Sequence, residues 1–246
     1  MPAGGTGLVL RGLRKEPAAI GKWHLGWDWT HKEGKAKTVD NIGFTKRVAN
    51  GPTDRGFDYF YGLTSPSGPP HLYMVNDMAE KQPNTRFEES GGGLYKIKGG
   101  IGHSDWSADG MQPHLADKML EYLDENKDSD KPFFLYMALT APHIPLFPSK
   151  EFKGKSKIGD YGDLVMMIDD IVGRVNRKLK EIGKYDNTIV MFAADNGCAG
   201  YINMDRINRK GHYPSYIYRG YKSHGWEGGH RIPFILSWGD RYGHVT

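Results

Sequence analysis

A lysine and a histidine one residue apart, Lys22 and His24, lie in the block Ile20-Gly21-Lys22-Trp23-His24-Leu25-Gly26-Trp27, directly after the apolar Ala18-Ala19-Ile20. An ammonium beside an imidazole can hold an anion: one charge is fixed, and the other group titrates near neutral pH. Two further apolar runs end on polar groups in the same way. Pro132–Leu139 leads into Thr140-Ala141-Pro142-His143-Ile144-Pro145, where the two prolines restrict the backbone and disfavour helix before them, so His143 is expected in a held loop. Thr188–Ala194 closes on Asp195-Asn196-Gly197. Three strands that each deliver polar groups at one end point to a shared anion site.

The runs are continuous rather than alternating, which fits strands buried on both faces, as in a parallel sheet. Between Asp163 and Ile182 the residues Leu164, Met167, Ile168, Ile171, Val172, Val175, Leu179 and Ile182 recur at helical spacing. Arg174, Arg177, Lys178 and Lys180 fall toward the C-terminal half, where the helix dipole favours cations. A shorter helix is predicted from about Pro113 to Asn126, with Leu115, Met119, Leu120 and Leu123 as its apolar stripe. Alternating strands and helices give an α/β sheet, and ligands of such sheets collect outside the carboxyl ends of the strands. All three polar clusters are predicted there.

At this point the chain resembles the formylglycine-dependent sulfatases of the alkaline-phosphatase-like superfamily. The resemblance rests on five blocks in order. They are Gly21 to Gly26, Arg55-Gly56-Phe57-Asp58-Tyr59-Phe60-Tyr61-Gly62, Ala141 to Pro145, Asp195-Asn196-Gly197, and Arg219-Gly220-Tyr221-Lys222 leading into Trp226-Glu227-Gly228-Gly229-His230-Arg231-Ile232-Pro233. The resemblance implies a mostly parallel sheet flanked by helices. It implies calcium ligation by Asp195 and Asn196, whose hard oxygens suit that ion, although Asn-Gly is equally a hairpin-turn signal. It also implies sulfate contacts from Lys22, His24, His143 and Lys222.

Cleaving a sulfate monoester leaves negative charge developing on the departing oxygen. A divalent cation polarises the sulfuryl oxygens, lysines and histidines stabilise the developing charge, and an imidazole can protonate the leaving alcohol. By resemblance the acid is His143 or Lys222, and His24 assists the nucleophile.

The nucleophile itself departs from the family pattern. In the family it is a formylglycine made within a Cys-x-Pro-x-Arg type motif upstream of the Lys-Trp-His block. The twenty-one residues before Lys22 hold neither cysteine nor aspartate, so the precursor residue and the paired aspartates of the family's metal site are absent from this chain. Cys198 is followed by Ala-Gly-Tyr-Ile, which is not the modification pattern, and reads as a small buried or loop residue. Ser65-Pro66-Ser67-Gly68 lacks the arginine and lies downstream of Lys22, and Phe147-Pro148-Ser149-Lys150 has no oxidisable residue in front; both read as loop punctuation.

Residues 1–246 are therefore expected to be part of a sulfatase catalytic domain lacking N-terminal strand(s) and the C-terminal antiparallel subdomain, with Pro233-Phe234-Ile235-Leu236-Ser237-Trp238 as another core strand. Exposed apolar surface is expected where missing strands would pack. Gly62 to Gly110 shows little periodicity and is predicted as a long variable loop; its aromatics Tyr73, Phe87, Tyr95 and Trp106, like Trp27 and Trp29, serve either sugar stacking or packing.

The remaining composition narrows the classes. At 38% hydrophobic and 25% charged residues, 246 residues suffice for one sizeable core. A net charge of +4 with basic residues spread among acids gives no nucleic-acid signature, and no run is long and apolar enough to span a membrane. Met1-Pro-Ala-Gly-Gly-Thr-Gly lacks the apolar core of a signal peptide, whereas the family is mostly periplasmic, extracellular or lysosomal, so either the true start lies upstream or the product stays in the cytoplasm. Two function classes follow. One is a sulfuric ester hydrolase acting on sulfated carbohydrate. The other is a non-catalytic remnant that binds anions without turnover. Phosphoester or phosphonate hydrolysis on the same framework is a lesser alternative.

Overall fold

The computed structural model describes residues 16–239, so the readings placed on Met1 to Gly7 lie outside the described residues. The chain divides into two compact units, Met1–Glu151 and Phe152–Thr246.

In the first unit β1 (Glu16–Lys22), β2 (Tyr59–Leu63), β3 (Met74–Val75) and β4 (Met78–Ala79) are followed by a small ladder of β5 (Thr85–Phe87) and β6 (Gly100–Gly102). Helix α1 (Met111–Glu125) and β7 (Phe133–Ala138) complete the unit. The main sheet runs in the order β4-β3-β2-β1-β7. β1 is parallel to both neighbours, in register Gly21↔Gly62 and Gly21↔Ala138, while β3 and β4 add an antiparallel edge. As its continuous apolar run predicts, β1 is buried on both faces, with Ala18 and Ile20 wholly inaccessible. One face of the sheet belongs to a cluster that includes Ala19, Trp23, Phe44, Phe57, Phe60 and Met74. Helix α1 packs on β1 and β2, burying Leu115, Met119 and Leu123; Leu120, at the margin of the predicted stripe, is half-buried.

The Gly62 to Gly110 segment is more ordered than its lack of periodicity predicts. Its strands are two or three residues long, too short to leave a repeat in the sequence. Tyr73 and Trp106 are buried, and Trp106 meets Phe87 edge-on at 5.4 Å and His71 at 4.5 Å, so these rings serve packing. Trp27 stacks on Trp29 at 5.7 Å against the same core cluster.

In the second unit, helix α2 (Asp160–Glu181) buries Leu164, Met167, Ile168, Ile171, Val175 and Leu179 of the stripe read from the sequence, while Val172 and the C-cap Ile182 are half-buried. Buried Asp163 in its first turn accepts from the backbone N–H groups of Gly154 (2.7 Å) and Ser156 (2.6 Å), tying down the preceding loop. β8 (Ile189–Ala193) and β9 (Phe234–Trp238) pair antiparallel as a sheet of their own. The continuous apolar runs read from the sequence predict burial on both faces, and here neither strand has it. Met191 is 57% exposed, and Phe234, Ile235 and Leu236 are all more than half exposed. An apolar run fixes a preference for burial, but only neighbouring elements supply it, and a two-stranded ladder leaves much of its surface in water. Among the described residues no helix is long and apolar enough to cross a membrane.

Candidate functional site

In the first unit the C-terminal ends of adjacent parallel strands bring Lys22, His24 and His143 to one edge of the sheet. Lys22 closes β1 and is half-buried. Trp23 then turns into the core, meeting Phe57 edge-on at 6.2 Å, while its indole N–H donates to the Gly26 carbonyl at 3.1 Å. With Trp23 anchored, its flanking residues are held at the rim, and His24 is exposed there with φ 48°. β7 lies beside β1, and its continuation carries His143, whose backbone N–H donates to the Thr140 carbonyl at 3.1 Å. The Ala141–Pro142 and Ile144–Pro145 bonds on either side are both cis. His143 Nδ1 lies 2.6 Å from the Ile144 carbonyl and so must carry the donated proton, which puts the lone pair of the neutral ring on Nε2.

A residue that sequence reasoning missed anchors this loop. Gln112, buried in the first turn of α1, accepts at its side-chain oxygen from the Thr140 hydroxyl (2.6 Å), the Thr140 N–H (3.1 Å) and the Ala141 N–H (3.3 Å). Its carboxamide nitrogen has no partner, a cost accepted in exchange for three acceptor contacts. Nothing in the sequence marks it, because its partner lies 28 residues away.

In the second unit Asp195 and Asn196 follow β8, and backbone contacts draw Lys222 toward their turn. The Gly197 N–H donates to the Gly229 carbonyl (2.9 Å), Lys222 N–H to the Cys198 carbonyl (2.9 Å), and Gly228 N–H to the Arg219 carbonyl (2.8 Å). The glycines are required by close approach: a Cβ on Gly197 would stand 1.9 Å from the Gly228 carbonyl oxygen, and one on Gly228 would stand 2.2 Å from that of Gly220. The Gly228-Gly229 pair was the available signal for this interlock. Asp195 is exposed, while Asn196 and Lys222 are half-buried. Cys198 lies 3.5 Å from the Tyr161 hydroxyl, and burial pushes its thiol pKa up, so it stays a neutral thiol, in keeping with a structural role.

Backbone conformation marks the same places. Six non-glycine residues have positive φ among those described; three are asparagines, and the others are His24, Ser223 next to Lys222, and Tyr216. Side chains held in this region are uncommon and cluster where function requires the conformation.

Asp195 and Asn196 fit a calcium ion in kind. The Asn196 amide nitrogen donates to the Gly197 carbonyl at 3.1 Å, which turns its oxygen to the role of acceptor. Calcium takes about six to eight oxygens, and no group of three or more His, Cys, Asp or Glu residues placed to hold a metal occurs among the described residues. Two oxygen-bearing side chains fall short of that number.

The first unit is thus an α/β fold with ammonium and imidazole groups at its strand ends. The sulfatase family model matches residues 9–245, and the chain belongs to the sulfatase family. It is 29% identical to an N-acetylgalactosamine-6-O-sulfatase of Bacteroides thetaiotaomicron over 89% of this chain and 48% of that protein. It is 30% identical to an arylsulfatase of Hemicentrotus pulcherrimus, over 89% of this chain and 35% of that one. Among solved structures, a Bacteroides thetaiotaomicron protein from work on glycosaminoglycan metabolism superposes with a TM-score of 0.75 at 27% identity, covering 94% of this chain and 54% of that chain. A Pseudoalteromonas sulfatase follows at a TM-score of 0.64 and 26% identity, covering 94% and 44%. The chain thus spans between about a third and a half of the length of these curated relatives.

Proposed function

We propose that residues 1–246 form part of the catalytic domain of a sulfuric ester hydrolase that acts on sulfated carbohydrate, with Lys22, His24, His143 and Lys222 contacting the sulfate. The observation that carries this is the delivery of Lys22 and His143 from the ends of adjacent, parallel, in-register strands. Lys22 is half-buried as a residue, and a reduced dielectric around a charged group strengthens its attraction for a sulfuryl oxygen. His143 is the acid that the local geometry favours. With Nδ1–H committed to the Ile144 carbonyl, Nε2 is the ring nitrogen left to face the departing alcohol oxygen as proton donor. Asp195 and Asn196 are proposed as calcium ligands; when bound, the ion polarises the sulfuryl oxygens. The names of the similar proteins, which specify N-acetylgalactosamine 6-sulfate and aryl sulfate, support sulfate monoesters as the substrate class.

A second reading, anion binding without turnover by this polypeptide, is favoured by its cysteine. Cys198 is the single cysteine, lies outside any Cys-x-Pro-x-Arg pattern, and is held as a neutral thiol by burial. One experiment addresses both readings. Calorimetric titration of the chain with a 6-sulfated monosaccharide is expected to give binding that weakens about tenfold or more in Lys22→Ala and His143→Ala, as loss of a charge-assisted contact implies, with no turnover of an aryl sulfate. Unchanged affinity in both variants would remove the sulfate reading, and multiple turnovers abolished by Lys22→Ala would remove the second. Calcium is expected to bind weakly and to lose its signal in Asp195→Ala; a signal that survives takes these ligands out of the proposal.

A further inference from the structure

The segment from Tyr201 to Arg231 is unlike the rest of the chain. It holds six Lys or Arg and two Asp or Glu, a balance that equals the whole chain's net charge of +4, so everything outside it is neutral in sum. It also holds six of the sixteen large apolar side chains that are exposed among the described residues. Single exposed apolar residues are ordinary, but a concentration of them marks an interaction surface.

Two of the six cations are paired with rings. The Arg219 guanidinium lies 4.0 Å over the Trp226 ring, and that of Arg231 lies 4.8 Å over Tyr218. Tyr216 meets Tyr218 edge-on at 6.5 Å. Arg231 is fixed further by Glu227 at 2.6 Å. A guanidinium stacked on a ring uses its flat face, while its N–H donors lie in the plane, where they suit sulfate or carboxylate oxygens. Trp226 is 52% exposed and Tyr216 73% exposed, the latter held at φ 49°. Burial in the unit therefore does not explain the placement of these rings. The Gly228 to Arg219 backbone bond and the Lys222 to Cys198 bond fasten the same segment to the turn that bears Asp195 and Asn196.

We propose that Tyr216, Tyr218, Arg219, Trp226 and Arg231 form a platform for the sugar residues that flank the sulfate ester, so that the ligand is an anionic oligosaccharide rather than a small aryl sulfate. The C–H face of a pyranose stacks on the Trp226 and Tyr216 rings, and sulfates or carboxylates on neighbouring sugars meet Arg219 and Arg231. This rests on the sulfated-carbohydrate reading of Lys222. A nucleic acid offers the same two chemistries, stacking bases and phosphates, and the test includes it.

The full chain is titrated calorimetrically with an oligosaccharide built on 6-sulfated N-acetylgalactosamine, with its desulfated counterpart, with the sulfated monosaccharide, and with a single-stranded oligonucleotide of equal charge. Tyr216→Ala, Trp226→Ala and Arg219→Gln are each expected to weaken oligosaccharide binding about fivefold, as the loss of one stacking or cation–π contact implies, and to leave the monosaccharide unaffected. Thermal melting confirms that each variant folds, and exposed Tyr216 is the variant safest in that respect. Unchanged oligosaccharide affinity in all three, equal binding of the desulfated oligosaccharide, or equal or tighter binding of the oligonucleotide overturns the platform. Loss of its own support looks different: if Lys22→Ala and Lys222→Ala leave the monosaccharide's affinity unchanged, the sulfate reading fails even where the platform variants behave as expected.

Discussion

The strand that ends on Lys22 and the strand that precedes Asp195 look alike in sequence and differ in surroundings. β1 lies between two parallel neighbours and is buried along nearly its whole length, whereas β8 pairs with one antiparallel neighbour and alternates between exposed and half-buried. Their candidate groups are also held differently. The first unit fixes the His143 loop with one buried side chain, Gln112. The second fixes Lys222 and the Asp195 turn with backbone bonds, donated by Gly197, Lys222 and Gly228 N–H groups to carbonyls. The same kind of chemistry is thus set on a packed interior in one case and on an interlocked loop cluster in the other.

The largest difference is expected from backbone crowding. A Cβ on Gly62 would stand 1.8 Å from the Gly21 carbonyl oxygen, with backbone rather than a flexible side chain in the way. Gly62→Ala is therefore expected to cost about 3 kcal/mol or more or to prevent folding, whereas Gly225→Ala in the second unit, with nothing within 4 Å, is expected to stay within about 0.5 kcal/mol. Urea denaturation of both variants measures this, and comparable midpoints would break the comparison. Next come the strands themselves. Ile20→Ala is expected to destabilise by about 2–5 kcal/mol, against about 0.5 kcal/mol for Met191→Ala, since Ile20 is fully buried and Met191 is 57% exposed. Equal losses would mean that β8 is covered in solution.

Removing the Gln112 clamp comes third. Gln112→Ala leaves the Thr140 and Ala141 donors without their acceptor, at a cost of about 1–3 kcal/mol. It should also weaken sulfate binding through His143 without touching sulfate itself. A variant with the stability loss and unaltered binding would show that the loop keeps its shape unaided. The smallest effect concerns pH. Burial lowers the pKa of His71, whose Nε2–H donates to the Lys98 carbonyl at 2.7 Å while Nδ1 is buried without a partner. The folded state thus resists the second proton and the unfolded chain accepts it. Stability is full above the unfolded value of about 6.5 and falls as pH drops below it toward the folded value. Urea midpoints at pH 7.5 and 5.5 should differ less in His71→Phe; an identical pH dependence in that variant would remove His71 as the cause.

Much of the candidate chemistry was legible in the residues. Lys22, His24, His143 and the Asp195-Asn196 turn each follow an apolar run, Lys22 as the last residue of its strand and the others beyond theirs, and the helical stripe of α2 was readable because 3.6-residue periodicity is local. Gln112 was not legible, since a lone glutamine carries no sign of the loop it will meet. The two-residue strands of the Gly62 to Gly110 segment were too short to signal themselves, and the Gly228-Gly229 pair was visible as a motif but not as a close approach to Gly197 and Gly220.

The sequence by itself determined which residues could bind an anion, which runs would be strands, and that the chain resembles a sulfatase. Those properties depend on residue type and on neighbours a few positions away. Only the tertiary structure decided that β1 is buried between two parallel neighbours while β8 and β9 form a partly exposed ladder, and that Gln112 holds the His143 loop. It likewise decided that Arg219 and Arg231 lie over the Trp226 and Tyr218 rings. Burial, close approach and cation–ring pairing arise between residues distant in the chain, so no local pattern could encode them.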